Sequence, residues 1–239
     1  MHVIAMLGQK GGAGKTTIAV HLAVAAQQDG VAVALIDTDP QGTASSWIKS
    51  RTAKNPTSAS APPIQVHAIL EVARQSGISL VVVDTAPHAD VGATRAVEDA
   101  DIILMPCRPT AFDVAGIAGA VRIARVTGRR SAFVLNACPP RGYEPPQTAR
   151  FLESLGYPVA PQTIGQRQAY ARATASGQAV TEFDPRGTAA DEIRTLWNWV
   201  KDTFANEETA SRHRDPSADG EPPARPGIPT AADAEGQAS

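Results

Sequence analysis

The stretch Gly8-Gln9-Lys10-Gly11-Gly12-Ala13-Gly14-Lys15-Thr16-Thr17 sets two lysines five positions apart in a glycine-rich run. Glycines let consecutive backbone N–H groups turn inward on phosphate oxygens, and a helix opening behind them adds a favourable dipole. In such a cradle Lys15 reaches the β- and γ-phosphates of a nucleotide, and the Thr16 hydroxyl takes a place on Mg²⁺. The pattern departs from GxxxxGK[ST] at one position, because Gln9 stands where the first glycine belongs. One lysine suffices for a phosphate cradle. Lys10 is a second, and its purpose has to come from outside the loop's own chemistry.

Three carboxylates extend the constellation. Asp84 ends the apolar run LVVVD, the setting of an acid that holds Mg²⁺ directly or through water. Asp37 and Asp39 lie in LIDTDPQG at the end of another apolar run. Alternate positions on an extended chain face opposite ways, so these two carboxylates need not share a role. Any of the three alone could cap a helix or form a turn; together, behind a phosphate loop, they point to a metal–nucleotide site.

These groups need a scaffold that brings strand ends to one edge. Apolar runs at 2–7, 31–37, 79–86, 101–107 and 131–136, with a shorter one at 157–164, read as six strands. Each is nearly continuously apolar, as a parallel strand buried on both faces requires. Helices are expected at 15–28, 90–99, 111–127, 147–155, 167–176 and 187–204. Strand–helix alternation of this kind gives an α/β fold with a doubly wound, mostly parallel sheet, whose ligand crevice lies beyond the carboxyl ends of the strands. The polar, Pro- and Ser-rich segment 49–63 reads as a surface loop. In the last helix Ile193, Leu196, Trp197, Val200 and Phe204 share one face, which reads as core packing.

The chain of 239 residues carries a net charge of −2 that is unevenly spread. From Ala205 onward seven acids face three arginines, with five prolines and no aromatic residue, leaving a tail of −4 behind a mildly basic body of +2. Such a tail cannot bury enough apolar surface to offset its chain entropy and is expected to be disordered. The expected organisation is therefore a domain over 1–204 and an acidic tail over 205–239. No window is apolar enough to span a bilayer, and HVIAML reads as a first strand, not a signal peptide. Cys107 and Cys138 lie in no CxxC and read as reduced, structural thiols of a cytoplasmic protein.

The segments KGGAGKTT, DTDPQGTASSW and VVVDTAP, in this order and spacing, resemble the ParA family of deviant Walker A P-loop ATPases, from Met1 to about Phe204. With no room for a DNA-binding domain before Val3, the chain looks like the small form. The resemblance implies an ATPase, weak alone and stimulated by a partner, with ATP and Mg²⁺ as cofactors and a face-to-face homodimer in its ATP state. It implies that Lys10 crosses to the partner subunit's phosphate while Lys15 acts in its own subunit, and that Asp39 positions the attacking water. Gly11, Gly12, Ala13, Gly14, Lys15, Thr16 and Thr17 would cradle the phosphates, with Thr16, Asp37 and Asp84 at the metal. Asn136 sits where relatives contact adenine; equally, it caps a turn before Pro139-Pro140.

The resemblance further implies non-specific DNA binding, with Arg141, Arg150, Arg167, Arg172, Arg186 and Arg194 as candidate phosphate contacts. The family's Pro-Arg-Asn is replaced here by Gly165-Gln166-Arg167, which leaves open which arginines take part. The implied role is partition of a plasmid or chromosome with a ParB-like centromere-binding adaptor, in the cytoplasm and on the nucleoid. The alternative within the fold is positioning of a protein cargo over the nucleoid. A MinD-like membrane ATPase needs a basic amphipathic C-terminal helix, against which this acidic, proline-rich end argues. A reductase like the nitrogenase iron protein bridges its dimer through cysteines in glycine-rich turns, unlike Cys107 and Cys138.

Overall fold

The computed structural model describes residues 1–87 and 91–212, with side chains described to position 206. Residues Met1–Phe204 form one compact unit. Its strands are β1 (His2–Met6), β2 (Val33–Asp37), β3 (Thr57–Ser60), β4 (Leu80–Asp84), β5 (Ile102–Cys107) and β6 (Ser131–Leu135). They build one sheet in the order β3-β2-β4-β1-β5-β6, parallel at every pairing. The expected mostly parallel sheet is thus parallel throughout.

The helices are α1 (Lys15–Gln28), α2 (Thr43–Ser50), α3 (Val66–Gln75), α4 (Val91–Val97), α5 (Ala111–Ala115) and α6 (Ala118–Thr127), followed by α7 (Glu144–Ser154), α8 (Gln168–Ala175), α9 (Val180–Phe183) and α10 (Thr188–Arg212). They cover both faces of the sheet, so each central strand is buried twice. In β1, Ile4 and Met6 enter the core shared with α1 and α10. Val3 and Ala5 enter the opposite core, with side chains of α3, α4, α6 and α7. Period-two alternation with no polar face is what a central parallel strand requires. Helix α1 is buried along Ile18–Ala26 and apolar nearly all round, as a helix enclosed by sheet and neighbours must be.

Several expectations are corrected. The sixth strand is β3, inside the segment read as a surface loop. Its sequence TSAS is polar and largely exposed because β3 is an edge strand that follows the backbone of β2, with Ser60 opposite Asp37. Residues 157–164 form no strand. They touch β6 through a bridge, Phe133 to Val159, and a bond from Ile164 N to the Leu135 carbonyl at 2.8 Å, in a stretch where Pro158 and Pro161 lack N–H donors. The helix expected over 111–127 is two helices, α5 closing at Gly116 and α6 opening at Ala118. Helices α2, α3 and α9 were not expected.

The buried face of α10 is the expected one, with Ile193, Leu196, Trp197, Val200 and Phe204 in the core. The helix continues past Phe204 to Arg212, so residues 205–212, assigned to the tail, are helical. The remaining tail expectation, over 213–239, and position 90 of the expected 90–99 helix lie outside the described residues. Among the described residues no helix is long and apolar enough to cross a membrane.

Candidate nucleotide-binding site

All six parallel strands end at one edge, and the candidate residues follow from that. The β1–α1 turn is the glycine loop. Gly12 and Gly14 have φ of +77° and +101°, left-handed values that glycine adopts without strain. A Cβ added at Gly11 or Gly12 would meet nothing within 4 Å, so the loop leaves open space above its backbone. At Gly14 the reverse holds: a Cβ would lie 1.9 Å from Asn136 Nδ2. That amide, from the end of β6, donates to the Ala13 carbonyl at 2.7 Å. Asn136 is thus neither free nor a simple turn cap; it braces the loop from the neighbouring strand ends. Ala137 beside it holds a φ of +50°, uncommon outside glycine, within this same turn.

Lys15 opens α1 with its side chain buried, its stem passing 3.5 Å from where a Gly8 Cβ would be. Burial lowers its pKa, while the charges of Asp84 and Asp39 pull it back up. Thr16 Oγ1 donates to Asp84 Oδ2 at 2.7 Å. Asp84 is fully buried and its other oxygen, Oδ1, has no hydrogen-bond partner. Burial pushes this carboxyl up to about 7; the Thr16 bond and Lys15 lower it, and the nearby Asp37 and Asp39 charges raise it. An orphaned carboxylate oxygen beside a threonine hydroxyl is an arrangement that a divalent cation would complete. Among the described residues no three His, Cys, Asp or Glu side chains cluster as a metal cage. Mg²⁺ held through one carboxylate, one hydroxyl, phosphate oxygens and water fits that donor set.

Asp37 stands opposite Asp84 in the β2–β4 register. It is buried, and both its oxygens serve the backbone, Oδ1 accepting from Asp39 N at 3.1 Å and Oδ2 from Ser45 N at 2.8 Å. Its visible work is to fix the turn after β2 and the first turn of α2. Asp39 is half-buried, with Oδ1 accepting from Gln41 N at 2.9 Å. It projects from that turn close enough to Lys15 and Asp84 for its charge to act on both.

Lys10 lies on the other flank of the loop. Its Nζ is 3.3 Å from Asp113 Oδ2 and 5.8 Å from the centre of the Phe112 ring. Asp113 also accepts from Arg108 Nε at 3.0 Å and from the Thr110 hydroxyl. Burial alone would raise its pKa, but these three donors outweigh it and hold the carboxyl below the usual range. Asp113, Arg108 and Phe112 were not singled out in the sequence. The local signal is Thr110-Ala-Phe-Asp113, in which Thr110 caps α5 by accepting from Asp113 N at 3.2 Å.

The candidate DNA arginines do not form one free set. Arg167 is paired with the buried Glu192 at 2.7 Å, Arg194 bonds Pro185 O and Asp191, and Arg172 bonds Gln168. Arg150 reaches Pro146 O at 3.4 Å. Arg141 and Arg186 are exposed, and among the described residues no hydrogen bond or ion pair engages either side chain. Cys107 and Cys138 are buried, and burial pushes their thiols up to about 12 and about 11, as structural thiols would be.

The family model described as the CobQ/CobB/MinD/ParA nucleotide binding domain matches residues 4–180. The chain belongs to this family. The ParA/MinD branch consists of ATP-binding, nucleotide-hydrolysing P-loop ATPases, and the glycine loop, Lys15, Thr16 and Asp84 lie within the matched span. The chain is 36% identical over 203 residues to the maintenance of carboxysome distribution protein A of Gloeobacter kilaueensis, covering 83% of this chain and 91% of that protein. It is 28% identical over 251 residues to protein IncC of Escherichia coli, covering 84% and 69%. Among solved structures, apo McdA of Cyanothece superposes with a TM-score of 0.70 at 15% identity, over 85% of this chain and 99% of that one. The MinD protein of Pyrococcus horikoshii with Mg-ADP gives 0.70 at 15%, over 87% and 98%. At such identities the likeness concerns the fold.

Proposed function

We propose that this family member is an ATP-switched homodimer that binds DNA without sequence preference in its ATP state and partitions DNA with a ParB-like adaptor. The observation that carries the reading is the second lysine. Lys15 is buried over its own loop, whereas Lys10 stays partly exposed at the loop's outer flank, where the neighbouring Phe112 is also exposed. A cation displayed there suits a phosphate bound to a second subunit.

In this reading Gly11 to Gly14 and the α1 N-terminus hold the phosphates, Lys15 neutralises them in cis, and Lys10 does so in trans. Thr16 and Asp84 hold Mg²⁺, which when bound offsets phosphate charge. Asp37 acts by fixing the turn that aims Asp39 at the attacking water. Of the DNA candidates, Arg141 and Arg186 need break no internal bond to meet a phosphate and are the first to test.

A second reading, positioning of a protein cargo over the nucleoid, is favoured by the relative named for carboxysome distribution, which matches over most of its length. A MinD-like membrane role is not favoured. The apolar face of α10 as far as Phe204 is already committed to the core.

The test is association and duplex-DNA binding without nucleotide, with ADP and with ATP, for wild type and Lys10→Ala. ATP alone should promote both in the wild type, with DNA binding falling steeply as salt rises, and Lys10→Ala should lose both. Equal DNA binding in all three states would sink the switch.

A further inference from the structure

We propose that Asp113 is the resting partner of Lys10 within one chain, and that dimerisation exchanges this cis contact for the trans contact with the partner's nucleotide. The inference rests on the ATP-switched dimer proposed above and adds a positioning residue to it.

Three observations carry it. The first is location: Asp113 comes from α5, the element after β5, so the bond ties Lys10 to a neighbour outside the glycine loop. The second is how the carboxylate is held. Arg108 Nε on Oδ1 at 3.0 Å and the Thr110 hydroxyl on Oδ2 are local, coming from the same short loop and helix. Lys10 arrives from 103 residues away with the longest of the three contacts, 3.3 Å. If Lys10 leaves, Arg108 and Thr110 still satisfy Asp113, so release leaves no buried charge unpaired; that outcome would otherwise be strongly destabilising.

The third is exposure. The Asp113 side chain is 3% exposed while that of Lys10 is 39% exposed. The acid is a fixed post, and the lysine can swing away into solvent or onto a partner. The Phe112 ring, 83% exposed, offers Lys10 a second weak hold on the same side.

The contact therefore acts as a restraint that ATP-driven association has to overcome. It limits the time Lys10 spends presented to a second subunit when nucleotide is absent. A partly exposed ion pair of this kind shifts an equilibrium by about two- to five-fold.

Two measurements on the full chain test it. In the nucleotide-free protein, Lys10 acetylation by a small amine-reactive reagent, followed by mass spectrometry, should rise several-fold in Asp113→Asn. The amide variant keeps the shape and a partner for Thr110 but removes the charge. In sedimentation across an ATP titration, Asp113→Asn should dimerise at about two- to five-fold lower ATP than wild type. Arg108→Ala should shift the midpoint the other way, because the carboxylate then depends more on Lys10. A folded Asp113→Asn with unchanged Lys10 reactivity, or with an unchanged or higher ATP midpoint, would overturn the restraint. If wild type forms no dimer with ATP, the switch itself fails, and the acetylation result alone then decides the cis contact.

Discussion

Gly14→Ala probes the joint between the phosphate loop and β6. The new methyl would be placed at a φ of +101°, where an L-residue is strained, and 1.9 Å from Asn136 Nδ2. The strain costs about 1–2 kcal/mol. Asn136 is buried and is the donor to the Ala13 carbonyl, so it can yield only by giving up that 2.7 Å bond. Leaving a buried polar group unpaired costs about 1–3 kcal/mol. Together Gly14→Ala should destabilise by about 2–5 kcal/mol, and Tm should fall by about 2–4 °C for each of these. Asn136→Ala alone removes the same hydrogen bond and should cost about 1–3 kcal/mol. Because both variants lose one shared bond, the double variant should cost about 1–3 kcal/mol less than the sum of the two. The assay is thermal unfolding of the four nucleotide-free proteins in one buffer. Additivity within about 0.5 kcal/mol would refute the reasoning, since it would mean that the methyl and Asn136 do not compete for one space.

Asp39→Ala should slow ATP hydrolysis strongly while ATP-dependent association persists, read by phosphate release beside sedimentation; loss of nucleotide binding would contradict its assigned role. Thr16→Val should abolish the gain in ATP affinity that Mg²⁺ provides, measured by calorimetry with and without the cation. Arg51, with a side chain 1% exposed, grips Glu182 through two bonds of 2.9 and 2.8 Å, so Arg51→Ala should cost about 3 kcal/mol in urea unfolding. His21 is buried and accepts from Val180 N, and burial lowers its pKa to about 3 from an ordinary 6.5. The folded state keeps this ring neutral while the unfolded chain protonates it. Its contribution to stability is therefore complete above about pH 6.5 and is lost progressively as pH falls toward about 3, amounting to about 2 kcal/mol at pH 5. His21→Gln, which keeps an acceptor for Val180, should flatten this part of the pH dependence; an unchanged slope would remove His21 as its source.

What could be read before folding were the features encoded in contiguous residues. Continuous apolar runs marked β1, β2, β4, β5 and β6, because a strand buried on both faces has no polar face to disguise it. The phosphate loop was legible because its chemistry needs glycines, a lysine and a hydroxyl within one turn. Asp84 was legible because the end of an apolar strand is a fixed address in such a sheet. Edge strand β3 was not, since TSAS gains its place from the backbone of β2 and carries no periodicity of its own. The split at Gly116 was hidden because apolar residues continue across it at helical spacing, as at Val114, Ile117 and Val121.

The residue types and spacings by themselves determined a parallel α/β fold with a phosphate cradle, because both depend on local pattern. Only the tertiary structure decided which partners those residues have. Asp37 proved to spend one oxygen on the turn after β2 and the other on the first turn of α2. Asn136 proved to brace Ala13, 123 positions away. Four of the six candidate arginines proved to be engaged within the chain. Lys10, conspicuous in the sequence as a surplus cation, proved to rest on Asp113. Hydrogen bonds and ion pairs act over a few ångströms whatever the separation along the chain. The sheet order β4-β1-β5-β6 sets the loops after β1, β5 and β6 side by side, and no reading of contiguous residues could have supplied that proximity.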